Sequence, residues 1–153
     1  PDEFPFATTI HVLNSAILKL SRVQPATKVY RGTKGGVLPD EFWTPNADNV
    51  RGGIELGFMS TTTDREVAMR YAKSSSTTSS LVFEIQMGMI DRGADIQAFS
   101  QFPGEAEVLF APLIELEVVG EPKVVDSSST IVVSMRLSCN LHDLTIEQVT
   151  AKM

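Results

Sequence analysis

With 153 residues, of which 42% are hydrophobic and 21% charged, the chain is long enough for one buried core, and we expect one domain over residues 1–153. A net charge of −6 argues against a surface that follows nucleic-acid phosphates, so no nucleic-acid partner is expected. No apolar run approaches the roughly 20 residues that span a membrane.

Cys139 is the only cysteine, which excludes an intrachain disulfide and a cysteine-based zinc cluster. This cysteine usage favours a reducing, intracellular compartment. Because the sequence starts at Pro1, we expect it to be a piece excised from a longer chain.

A helix and a short strand are predicted first. Apolar residues at helical spacing predict a helix over residues 9–22. Residues 28–33 then have the pattern of a short strand that ends near a glycine, which places Arg31 beside flexible backbone. Such an arginine can form a surface ion pair or can clamp phosphate or carboxylate oxygens, and Tyr30-Arg31-Gly32 alone does not decide between these.

Residues 34–56 are rich in glycine and proline and are predicted to be mostly loop, held to the core by apolar side chains: Leu38, Phe42, Trp43 and Ile54. Residues 57–64 begin as a strand and lead into a helix, because Thr63-Asp64-Arg65-Glu66 has the form of a capping box with Thr63 as the capping hydroxyl. Ser60 is therefore expected at a strand end, where it could orient another side chain. The alternative is a Ser/Thr-rich connection that satisfies its own backbone.

Strands dominate the predicted second half, because apolar and polar side chains alternate there. These strands are expected at residues 81–87, 114–118 and 131–137. A mobile loop over residues 74–80 precedes the first of them, and a loop over residues 88–101, anchored by Ile96 and Phe99, follows it. A short terminal helix is predicted over residues 144–152.

The most informative stretch is residues 100–112. Pro103-Gly104 predicts a turn, and the apolar residues that follow predict a strand. On one strand, Glu105 and Glu107 would project from the same face, about 6.5 Å apart. A lone Glu-x-Glu is usually a solvated strand face, which is how we interpret Glu115-Leu116-Glu117.

Three motifs in chain order resemble the Arg–Ser–Glu signature of mono-ADP-ribosyltransferases, in their arginine-modifying Glu-x-Glu branch. The motifs are Tyr30-Arg31-Gly32, Phe58-Met59-Ser60-Thr61-Thr62 and Phe102-Pro103-Gly104-Glu105-Ala106-Glu107-Val108-Leu109. Thr62 stands where this family usually has serine. The resemblance implies an α+β fold in which two packed, antiparallel-rich β-sheets form an NAD cleft flanked by helices.

The resemblance also implies a role for each residue. Glu107, oriented by Ser60, would bind a ribose hydroxyl of NAD and stabilise the positive charge that develops when the bond to nicotinamide breaks, as in glycoside hydrolysis. Arg31 would clamp the phosphates, and the backbone of Gly32 would hold the nicotinamide amide. The implied catalytic residues are Glu107, Glu105, Ser60 and Arg31; the implied cofactor-binding residues are Arg31, Gly32, Ser60, Thr61, Thr62, Tyr71 and Glu107, with no metal.

Glu105 would position the guanidinium of an acceptor arginine, while Phe102 and Phe99 would touch the target protein. Tyr71 is either a wall of the nicotinamide pocket or a core residue. The implied reaction is transfer of ADP-ribose from NAD to an arginine of a target protein, with release of nicotinamide. An NAD glycohydrolase and a catalytically silent binding module remain alternatives.

Overall fold

The structure is a computed structural model that describes residues 5–33, 38–73, 80–125 and 130–138. Its helices within these ranges are α1 (Ala7–Ser21), α2 (Asp40–Trp43) and α3 (Arg65–Lys73), with 3₁₀ turns at Gln97–Phe99 and Pro103–Glu105. The strands are β1 (Lys28–Thr33), β2 (Gly52–Glu55), β3 (Met59–Thr62), β4 (Ser80–Gln86), β5 (Ala94–Asp95), β6 (Glu107–Phe110), β7 (Ile114–Val118), β8 (Lys123–Val125) and β9 (Thr130–Ser138).

These strands form one mixed sheet in the order β2-β7-β9-β4-β1-β3-β6-β5, with β8 paired to β9. Neighbours are antiparallel except β4 and β9, which run parallel. The link between β1 and β3 is a single register pair, Tyr30 with Thr62, whereas β1 and β4 pair along six residues from Lys28 to Thr33. The sheet therefore has two parts joined at one point.

The predicted α+β class with mostly antiparallel strands is confirmed, but the two predicted sheets are joined into one. The reason is the bridge between β1 and β3. Both parts of the sheet still pack over one hydrophobic core, since its buried members come from β1, β4, β7 and β9 on one side and from β3 and β6 on the other.

The alternating strand predicted over residues 81–87 is confirmed as β4, with every apolar residue of the predicted inner face buried: Leu81, Phe83, Ile85 and Met87. Val82 on the opposite face is also fully buried, because α3 packs there with Ala68, Met69 and Ala72. The central strand thus has apolar cover on both sides at that position.

The predicted capping residue of α3 is wrong. The helix begins at Arg65, and the Asp64 carboxylate accepts a hydrogen bond of 2.8 Å from the backbone N–H of Glu66. Thr63 lies one residue too early, because its own N–H donates to the carbonyl of Ala106 and so continues the pairing with the chain before β6. Asp64 is therefore the N-cap residue.

Two predicted core anchors are wrong, since Ile54 is 57% exposed and Phe99 is 77% exposed. Ile54 lies on β2, an edge strand, and Phe99 ends an exposed 3₁₀ turn. Leu38, Phe42 and Trp43 do pack against the core.

The loops predicted over residues 34–56 and 88–101 contain short elements that were not predicted: α2, β2 and β5. The strand β8 was not predicted either. Ser80 belongs to β4, whereas the rest of the loop predicted over residues 74–80 and the terminal helix predicted over residues 144–152 lie outside the described residues. In the described part of the chain, no helix has the length and apolar character needed to cross a bilayer.

Phe110 and Phe99 provide a matched test of this packing. Phe110 is 1% exposed, so Phe110→Ala should lower the free energy of unfolding by about 3–5 kcal/mol. Phe99→Ala should change it by less than about 0.5 kcal/mol, because the ring lies in solvent. Urea denaturation of both variants measures the difference; equal losses would contradict the described core.

Candidate active site

A cleft of about 320 Å³ opens where β1, β3, α3 and the segment before β6 meet. Its volume lies within the range of small-molecule sites. The residues that line it are Tyr30, Arg31, Gly32, Phe58, Ser60, Thr61, Thr62, Val67, Ala68, Tyr71, Glu105 and Glu107. All three sequence motifs therefore contribute to one site.

The first carboxylate of the cleft is held from β3. Strands β3 and β6 pair with Ser60 opposite Leu109 and Thr62 opposite Glu107. In this register the hydroxyl of Ser60 donates a hydrogen bond of 2.6 Å to Oε1 of Glu107. The Glu107 carboxylate is half-buried and is fixed by a residue of the neighbouring strand.

The predicted strand geometry of Glu105 and Glu107 is wrong. Glu105 belongs to the 3₁₀ turn Pro103–Glu105, and β6 begins only at Glu107. Between them, Ala106 adopts a left-handed conformation with φ 46° and ψ 51°, which interrupts the extended chain. Both carboxylates still line the cleft, but they reach it from a turn and from a strand.

Two hydroxyls hold Glu105. The buried Thr62 hydroxyl donates a hydrogen bond of 2.6 Å to the main-chain carbonyl of Glu105 and accepts one of 3.0 Å from the N–H of Asp64. The Tyr71 hydroxyl donates to Oε1 of Glu105 at 2.5 Å. Glu105 is thereby tied both to β3 and to α3.

Tyr71 is 47% exposed and lines the cleft, so of the two predicted alternatives the core position is wrong. The hydrogen bond to Glu105 raises the pKa of Tyr71 above its ordinary value of 10.0; burial and the negative charges of Glu105 and Glu107 act in the same direction. The phenol is therefore a protonated donor throughout the neutral range.

Arg31 lines the cleft and forms the ion pair that was one of the two alternatives left open by the sequence, while its role as a phosphate clamp stays a prediction. A terminal nitrogen of its guanidinium lies 3.3 Å from Oε2 of Glu55, and both side chains are partly exposed. Glu55 is a site neighbour that the sequence did not reveal. It lies on β2 in a glycine-rich segment without a clear pattern, and only the tertiary fold brings it to Arg31.

Gly32 allows α3 to approach the sheet at the cleft. A Cβ atom at this position would lie 2.0 Å from the carbonyl oxygen of Ala68 and 2.9 Å from the backbone nitrogen of Ala72. No other residue type fits without moving the helix. Ala68 and Val67 on α3, with Phe58 before β3, complete the apolar part of the lining, and no role had been predicted for them.

Phe99 and Phe102 do not line the cleft. They lie on the exposed loop that leads to Glu105, with Phe102 60% exposed. This loop is ordered by its own hydrogen bonds: the Gln97 side-chain amide donates to the carbonyl of Pro103 at 2.8 Å, which connects the two 3₁₀ turns.

The second Glu-x-Glu, interpreted from the sequence as a solvated strand face, does not line the cleft. Glu117 accepts two hydrogen bonds, of 2.7 and 2.8 Å, from the guanidinium of Arg136 on the neighbouring strand β9. This pair is a cross-strand contact of the sheet. Over the ranges that the structure describes, no group of three or more His, Cys, Asp or Glu side chains could hold a metal ion.

The chain belongs to the NAD:arginine ADP-ribosyltransferase family, whose sequence model matches residues 1–139. The resemblance of the three motifs is thereby confirmed, and NAD is the co-substrate of this family, as its name states. A comparison with curated protein sequences found no match.

Solved structures of bacterial ADP-ribosyltransferases share the fold. HopU1 of Pseudomonas syringae pv. tomato DC3000 is 25% identical, with a TM-score of 0.68 over 87% of this chain and 55% of that one. Vis of Vibrio splendidus in complex with agmatine is 24% identical, with a TM-score of 0.62 over 87% of this chain and 58% of that one. The Salmonella SpvB domain is 22% identical, with a TM-score of 0.56 over 91% and 76%. The chain thus spans little more than half the length of HopU1 and Vis.

Thr62→Val should destabilise the fold by about 1–3 kcal/mol, because the isosteric side chain leaves the Glu105 carbonyl and the Asp64 N–H without their buried partner. Thr63→Val is the matched control, since the exposed Thr63 joins the sheet through its backbone. Urea denaturation of both variants measures the effect. Equal stability of the two would show that the Thr62 hydroxyl does not support the turn.

Proposed function

We propose that the chain transfers ADP-ribose from NAD to the side chain of an arginine on a target protein and releases nicotinamide. The observation that carries this proposal is the convergence of two separately held carboxylates, Glu107 and Glu105, with the Arg31 guanidinium in one cleft. Family membership supplies the reaction class.

The cleft residues fit NAD by their chemistry. Arg31 offers a planar guanidinium for the diphosphate, which such groups bind through charge-assisted hydrogen bonds. Gly32 lines the cleft beside Arg31, where its backbone would hold the nicotinamide amide. Phe58 and Tyr71 provide aromatic surface for the nicotinamide ring.

Glu107 acts on the donor. When the bond between nicotinamide and ribose breaks, positive charge develops on the sugar, and a carboxylate already fixed in place stabilises that charge without reorganising. The hydrogen bond from Ser60 occupies Oε1 and fixes the group, which leaves Oε2 and its lone pairs for the ribose.

Glu105 acts on the acceptor. A carboxylate binds a guanidinium in a planar, two-point arrangement and can accept the proton that the attacking nitrogen loses. The exposed rings of Phe99 and Phe102 lie on the loop that ends at Glu105, where an approaching protein would meet them first. Exposed aromatic side chains next to a site are typical of protein contacts.

The test is incubation with NAD and agmatine, a small guanidino compound, with measurement of both free nicotinamide and ADP-ribosylated agmatine. Equal amounts of the two products would support an arginine transferase. Nicotinamide without modified agmatine would favour the glycohydrolase, in which water is the acceptor. Absence of both products would overturn the proposal in favour of a silent binding module.

Glu107→Gln should lower nicotinamide release by at least about 10²-fold with or without agmatine, because the neutral amide no longer stabilises the charge on the ribose. Glu115→Gln is the control, since Glu115 lies on β7 outside the cleft. Initial rates of nicotinamide release provide the measurement. Near-normal turnover of Glu107→Gln would disprove the assignment.

Glu105→Gln should lower the transfer to agmatine by about 10²-fold and retain part of the NAD hydrolysis. The reason is that the attack of water does not require a carboxylate that binds a guanidinium. Separation of modified agmatine from free ADP-ribose by chromatography measures both reactions. If both fell by the same factor, Glu105 would not be an acceptor-side residue.

A further inference from the structure

We propose that Tyr71 is a positioning residue for the acceptor arginine: its hydroxyl fixes the Glu105 carboxylate and so determines how ADP-ribose is divided between arginine and water. This inference rests on the proposed function. It assigns to Tyr71 an acceptor-side role in addition to that of a pocket wall.

The geometry gives each carboxylate its own hydroxyl donor. Ser60 donates to Oε1 of Glu107 at 2.6 Å, and Tyr71 donates to Oε1 of Glu105 at 2.5 Å. The two donors come from different elements, β3 and α3. Each carboxylate can therefore be disturbed without removing the support of the other.

Glu105 needs this support more than Glu107 does. Glu107 is part of a paired strand, whereas Glu105 ends a 3₁₀ turn on an exposed loop. Thr62 fixes the main chain of Glu105 but not its carboxylate. Without the Tyr71 hydroxyl, the Glu105 side chain would have to be ordered each time an acceptor binds, at a cost in rotamer entropy.

The helix that carries Tyr71 is itself firmly placed. Ala68 and Ala72 are buried, and the lack of a Cβ atom at Gly32 of β1 lets the helix backbone approach the strand closely. The position of the phenol is thus set by the packed helix and not by the loop that carries Glu105. A donor on a packed helix can therefore hold the Glu105 carboxylate in one position.

The hydrogen bond leaves Glu105 able to bind a guanidinium. A carboxylate has about four acceptor positions on two oxygens, so one bond from Tyr71 leaves places on both oxygens. Because transfer to arginine requires an aligned nucleophile whereas attack by water does not, a loosely held Glu105 should impair transfer more than hydrolysis.

The first experiment compares Tyr71→Phe with the unmodified protein, with NAD and agmatine as substrates. The ratio of modified agmatine to free ADP-ribose should fall about tenfold, and KM for agmatine should rise more than KM for NAD. Lys73→Ala is the control, an exposed position at the end of the same helix and outside the cleft. Equal losses of transfer and hydrolysis would overturn the positioning role.

The second experiment detects the hydrogen bond without using activity. The chain has two tyrosines, so ¹³Cζ-tyrosine labelling gives two NMR signals, and Tyr71→Phe and Tyr30→Phe assign them. The charged groups that act on Tyr71 are Glu105, Glu107 and Arg70, the last of which lowers its pKa. In Glu105→Gln, the pKa of Tyr71 should fall towards 10.0, because the main cause of its increase is removed.

An unchanged pKa of Tyr71 in Glu105→Gln would overturn the inference whatever the activities are. Failure of the proposed function appears differently: the unmodified protein would release no nicotinamide, or would release it without modifying agmatine, and either result refutes both the transferase and the division between acceptors. A measurable wild-type transfer with an unchanged product ratio in Tyr71→Phe would refute the inference alone.

Discussion

The pairing of β3 with β6 is the constraint on which the rest of the site depends. Its register brings the hydroxyls of three consecutive residues against the opposite chain: Ser60 to the Glu107 carboxylate, Thr61 to the Val108 carbonyl and Thr62 to the Glu105 carbonyl. Because neighbouring residues of a strand face opposite sides, a shift of the β3–β6 register by one residue would turn each side chain to the other face and break these contacts. One local register therefore fixes the Glu107 carboxylate and the main chain of Glu105 at once.

The charged residues of the cleft match different parts of the two proposed substrates, NAD and the acceptor arginine. Glu105 and Glu107 present negative charge to species that are positive, namely the ribose as its bond breaks and the acceptor guanidinium. Arg31 is the residue that we propose for the diphosphate, and its guanidinium pairs with Glu55. Each of the two carboxylates accepts a hydrogen bond from a hydroxyl, Glu107 from Ser60 and Glu105 from Tyr71.

The sequence predicts those parts of the fold that depend on local pattern. Alternation identified β4 because burial on a strand follows a period of two, and the three motifs placed Arg31, Ser60 and the carboxylates in one cleft. The left-handed Ala106 was not predictable, because alanine seldom adopts a positive φ and only the surrounding contacts impose it. The contact between Glu55 and Arg31 likewise depends on tertiary structure alone.

The cleft exists because the sheet is incompletely paired. Strands β1 and β3 share the pair Tyr30 with Thr62, and a continued antiparallel ladder would place Arg31 opposite Thr61 and Gly32 opposite Ser60. Those four residues line the cleft instead, so the gap opens where the two parts of the sheet diverge. Since α3 closes one side of this gap through its contact with Gly32, the helix that covers the sheet also brings Tyr71 to Glu105. The same divergence therefore creates the space for a ligand and places the residue that we infer to orient the acceptor.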